Sequence, residues 1–122
     1  MNLTITGNHP PVLALGPFWF RGIPATVGVY ADRNWLSALF FSTSNVPSSL
    51  PGIIDLGIGN GFGELVFAGN VAAGANGSGL KVVYVPLAIP SGTTLYWQAG
   101  SIDPGNPTLP IETSNVDSKT VF

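Results

Sequence analysis

The chain has 122 residues, six acids, four cations and one histidine, for a net charge of −2. Charged residues make up 8% of it, against roughly 25% in a typical soluble domain. Arg21, Arg33, Lys81 and Lys119 are too few and too scattered to neutralise a nucleic-acid backbone or hold an anionic membrane surface, and the lack of cysteine excludes disulfides, thiolate metal centres and thiol nucleophiles.

Alternation of apolar and polar residues dominates the chain from its start. "NLTITG" sets Leu3 and Ile5 on one face and Thr4 and Thr6 on the other, as a half-buried strand does, and "HPP" then breaks it. "LGPFWFRG" is a short apolar run bounded by glycine and proline. "TVGVYA" follows with Val27 and Val29 in phase. "NWLSALFFSTS" ends in aromatic, serine and threonine residues and reads as a strand rather than a short helix. "VPSSLPG" reads as a loop. "GIIDLGIG" and "GELVFAGNV" are strands on either side of "NGFG", and "AAGANGSG" is a turn. "LKVVYVPLAIP" and "TLYWQAGSID" are strong strands separated by "SGTT". "PIETSNV" and "SKTVF" close the chain.

That pattern predicts about eight short strands, punctuated by turn signals every 8 to 12 residues or so, with no segment of helical period. The expected fold is all-β: a single antiparallel β-sandwich over residues 1–122, immunoglobulin- or fibronectin-like, or a jelly roll. No basic-then-apolar leader and no run of about 18 apolar residues is visible, so neither a signal peptide nor a membrane helix is expected.

"DLGIGNGFGELVF" places Gly57, Gly59, Gly61 and Gly63 at every second position. A dinucleotide-binding turn would need a third glycine where Phe62 or Glu64 stands, and a phosphate loop would need Lys-Ser/Thr after the glycines. Neither occurs. Two readings remain: a hairpin with Asn60-Gly61 at its tip, and a bare glycine face that admits a neighbouring subunit.

"IPSGTTLYWQAGSIDPGNP" resembles the closing part of β-sandwich modules in extracytoplasmic proteins of environmental bacteria such as planctomycetes and myxobacteria. The resemblance rests on Pro90, Gly92, Leu95, Tyr96, Gln98, Ala99, Asp103, Pro104 and Gly105, followed by Ser114-Asn115. Upstream, "ALFFSTSNVPSSLPGIIDLG" and "ANGSGLKVVYVPLAIP" are similar to the family's earlier strands, while "GPFWFRGIPATVGVYADRNW" is more aromatic than its pattern. The resemblance implies a secreted or surface-attached non-enzymatic module and carries over no catalytic residue.

The residues offer little for catalysis. His9 precedes Pro10-Pro11 and has no nucleophile elbow to serve, so no triad, zinc site or other catalytic residue is expected, and no cofactor. Asp55, Asn60 and Asp103 are the oxygen donors a calcium ion would use, but they lack ligand-loop spacing, and Asp103 in "IDPGNP" reads as a turn-former. Two of Asp32, Asp55, Glu64, Asp103, Glu112 and Asp117 could form a hydrolytic carboxylate pair, the remotest reading. Trp19, Trp35, Tyr96 and Trp97 could stack on sugar rings, although aromatic core packing is the commoner use. Along "TLYWQAG", Leu95, Trp97 and Ala99 share one face, and Tyr96, Gln98 and Gly100 the other.

With so few charges, the leading expectation is a non-enzymatic structural or self-assembling protein of a cell surface, filament or virion, bacterial or phage, acting through protein–protein contacts. It would form a homo-oligomer or larger assembly, with Phe18, Trp19, Phe20, Gly57, Gly59 and Gly61 at its interfaces. A carbohydrate-binding module with a glycan partner is the alternative. No nucleic acid and no membrane insertion are expected.

Overall fold

The computed structural model describes residues 11–16, 19–31, 35–74, 77–85, 87–105, 107 and 109–122. The "NLTITG" segment, His9 and Phe18 lie outside them.

Ten strands are present among the described residues: β1 (Val12–Leu15), β2 (Pro24–Tyr30), β3 (Leu36–Ser42), β4 (Ser48–Leu50), β5 (Ile54–Leu56), β6 (Val66–Ala72), β7 (Ser78–Tyr84), β8 (Thr94–Ile102), β9 (Glu112–Thr113) and β10 (Asp117–Thr120). All pairings are antiparallel. One sheet has the order β1-β2-β7 and the other β10-β8-β3-β6, with β9 also on β8. The fold is an antiparallel β-sandwich.

Alternation builds the core. Ala25, Val27 and Val29 of β2 point inward against Leu39 of β3 and Leu95, Trp97 and Ala99 of β8, with Leu13, Val71 and Val121 closing the cluster. Trp97 packs at 4.9 Å from Phe41 and 5.3 Å from Trp19, measured between ring centroids. Such tilted pairs add about 0.5–1.5 kcal/mol each beyond their buried area.

Three expectations change. "VPSSLPG" is not only a loop: Ser48–Leu50 forms β4, which pairs with β5 in a separate two-stranded ribbon. The ribbon lies on the outer face of β8, so Gln98 and Gly100, placed on an outward face by alternation, are buried as well. A side chain at Gly100 would meet Ile54 and Ile111, each at 3.3 Å. Third, β5 and β6 belong to different sheets, so "NGFG" is not a hairpin tip between paired strands.

The stretch around the glycines is a left-handed turn. Gly59, Asn60, Gly61 and Phe62 all have positive φ, at 103°, 50°, 67° and 70°. Their four amides donate to the 44–48 loop: Gly59 to the carbonyl of Ser44 (3.2 Å), Asn60 to Val46 (2.8 Å), Gly61 to Pro47 (3.1 Å) and Phe62 to the Ser48 hydroxyl (2.8 Å). A phosphate cradle needs such amides free; here the chain itself uses them.

β9 and β10 run along one side of β8 as a single interrupted strand: β9 pairs at Gly100 and Ser101, and β10 from Trp97 back to Thr94. At the break, Ser114 holds Ala99 through its own amide (2.8 Å) and its hydroxyl (2.9 Å). Asn115 swings to the other sheet. Its Oδ1 accepts the Leu13 amide (2.9 Å) and its Nδ2 donates to the Leu13 carbonyl (3.1 Å). The sandwich is stapled shut along this edge.

Candidate ligand-binding cleft

The opposite edge, between β6 and β7, is open. The two strands touch near Gly79, where any side chain would run into Val71 and the Ala72 carbonyl. Further along they part, and a cleft of about 320 Å³ enters between the sheets. Its walls include Ala68 of β6, Val83 of β7 and Phe41 of β3, and it reaches Leu95 and Trp97 of the core. The Trp97 indole N–H is buried and has no acceptor among the described residues.

Two local irregularities shape this edge. β6 carries a bulge: Leu39 faces Gly69 and Phe40 faces Phe67, so Ala68 is the extra residue and leaves the ladder. Bulges bend a strand away from its partner. Gly69, at φ 122°, is bare, and a Cβ there would lie 3.0 Å from both Cε and Nζ of Lys81. The lysine of β7 therefore reaches across to the backbone of β6.

The second irregularity is the phase of β7. Lys81 is paired with the fully buried Val27, so it shares the inward face with Gly79 and Val83. Leu80, Val82 and Tyr84 point outward, with 69%, 49% and 67% of their surface exposed. A one-residue slip would reverse every one of these. The observed register puts a half-buried lysine on the inward face, while Val82 and Tyr84 border the cleft from its rim. Lys81 is the one charged residue among those described as lining the cleft, and no described carboxylate is paired with it.

The other candidates fall elsewhere. Trp19 and Trp97 are each 2% exposed, Trp35 packs with Ala31 and Ala73, and Tyr96 is half-buried, so these rings form no sugar-stacking platform. Trp19 also donates its indole N–H to the Gly16 carbonyl (2.9 Å). Phe20 is exposed beside Phe122. Gly59 is buried against Ser48 and Leu65, Gly57 is half-buried beside Val116, and Gly61 is exposed. Gly57 and Gly59 thus admit the chain's own side chains.

Of the acids, Asp55 and Glu112 both line a depression of about 250 Å³ together with Pro110, Ile111 and Thr113. Asp55 accepts a hydrogen bond from Ser49, and Asp103 accepts the Gly105 amide (3.0 Å) in a local turn. Asp55 sits on β5, and Asn60 and Asp103 sit on separate turns. Among the described residues no group of three or more His, Cys, Asp or Glu could hold a metal ion.

No family model and no curated protein matches the sequence. The fold is similar to that of a superoxide reductase (neelaredoxin) from Ignicoccus hospitalis, with a TM-score of 0.55 and 13% identity over 94% of this chain and 82% of that one. This corrects the expectation of a non-enzymatic structural or self-assembling protein. That expectation took a charge-poor sandwich for a scaffold alone, and the same architecture carries an enzyme. At this identity the likeness shows the fold and transfers no residue role. One-electron chemistry on oxygen species is ordinarily carried by a metal or flavin. A chain without cysteine, with one histidine, and with no donor cluster among its described residues does not fit such a metal centre.

Proposed function

We propose that the protein binds a small apolar molecule in the cleft between β6 and β7. The observation that carries this reading is that the cleft opens to solvent at one end and runs between the sheets to the Phe41–Trp97 aromatic pair at the other. Binding sites for small molecules are concave, largely apolar and built with few polar groups. At roughly 30 Å³ per water-sized unit, the cleft holds about ten non-hydrogen atoms.

Octan-1-ol is a probe of that size. At about 0.6 kcal/mol per non-hydrogen atom, within the range small ligands reach, its nine such atoms give about 5.4 kcal/mol, a dissociation constant on the order of 0.1 mM. Titration calorimetry, with tryptophan emission as a second signal, measures it. Ala68→Phe fills the bulge position with a ring and should weaken binding at least tenfold while leaving the thermal transition in place. Wild-type protein that binds no alkanol between six and ten carbons, or an unaffected Ala68→Phe variant, would overturn the reading.

A further inference from the structure

Resting on the cleft reading, we infer that the ligand is an amphipathic monocarboxylate of about eight carbons, its chain in the cleft and its carboxylate on Lys81. Three observations converge on the lysine. It faces the inter-sheet space although its neighbours Leu80 and Val82 face solvent. The bare Gly69 backbone gives its ammonium room on the far side of the cleft. It is the single charge among the described lining residues, with no carboxylate partner among the described residues. A cation held beside apolar walls attracts an anion more strongly than one in bulk water, because the effective dielectric constant is lower there. One ammonium balances one negative charge, which selects a monoanionic head over a phosphate monoester. An inward lysine on an edge strand also discourages edge-to-edge pairing, and the experiment separates the two roles.

Octanoate, octan-1-ol and octylamine are titrated at pH 7 and low salt into wild type, Lys81→Met and Lys81→Arg. Wild type should prefer octanoate over octanol at least tenfold, and rising salt should erode the preference. Lys81→Met keeps the apolar stem, and its preference should fall to about one. Lys81→Arg should restore most of it. The Trp97 indole resonance should shift with octanoate, which places the ligand in the cleft. Equal affinity for octanoate and octanol, tighter binding of octylamine, or a Lys81→Met variant that only self-associates would overturn the inference and leave the cleft reading standing. No binding of any of the three would remove both.

Discussion

Glycines 57 to 63 look alike in the sequence but differ in what surrounds them. Gly59 is buried at φ 103°, and a Cβ there would lie 2.7 Å from the Ser48 hydroxyl and 2.9 Å from Leu65 Cδ1. Gly61 has φ 67° with nothing within 4 Å. Gly59→Ala combines backbone strain with a steric clash and should cost about 2–4 kcal/mol. Gly61→Ala carries only the left-handed penalty of about 1 kcal/mol. Urea unfolding of the two variants gives the comparison; equal losses would mean that conformation alone explains both glycines. Of the two readings of the spacing, the bare face fails because positive φ from Gly59 to Phe62 rules out an extended chain there. Asn60-Gly61 does signal a turn locally; what no local signal could reveal is that its amides are taken up by acceptors from Ser44 to Ser48. The aromatic residues were more legible. Leu95, Trp97 and Ala99 do share the inward face that alternation gives them, each at 2% exposure or less.

Strands are where the sequence speaks most clearly, and where its silence about partners matters. β2, β3, β6 and β8 could be read from alternation and turn residues alone. β4 could not, because its three residues lie between prolines and its stability comes from pairing with β5. Gln98 and Ser114-Asn115, which carried the resemblance to surface modules, have structural work here. Gln98 accepts the Gly57 amide and donates to the Ser114 carbonyl, each at 2.8 Å, while Asn115 binds both backbone groups of Leu13. Asn115→Ala removes the two bonds that join the sheets at the β1 edge. It should destabilise the protein by about 1–2 kcal/mol, given about 1 kcal/mol net per bond. Asn115→Asp keeps the acceptor for the Leu13 amide and should recover part of the loss. Thermal unfolding tests both, and an Asn115→Ala variant as stable as wild type would show that the staple contributes nothing. The cleft was not legible. In "LKVVYV" the sequence does not say which face Lys81 takes, and only the pairing of β7 with β2 shows that it faces inward.

The two long edges of the sandwich are therefore unequal: one stapled by Asn115, the other parted by the bulge at Ala68. Local opening follows such differences, because edges with few buried apolar contacts open at lower free energy than core strands. The cleft edge should be the first part of the molecule to open, and a bound ligand should oppose that opening. Amide hydrogen exchange tests this directly. In the free protein, amides in 66–69 and 81–85 should exchange far faster than those of 95–101 on β8, which is covered on both faces. With octan-1-ol at about 20 times its dissociation constant, any opening that expels the ligand becomes costlier by about 1.8 kcal/mol, so exchange there should slow about 20-fold. Amides near Leu13 and Ser114 should keep their free-state rates, since the staple lies across the core from the cleft. Uniform protection over both edges would mean that the alkanol stabilises the fold as a whole. Fast exchange at 66–69 that the alkanol leaves unchanged would mean that the edge opens without any connection to binding.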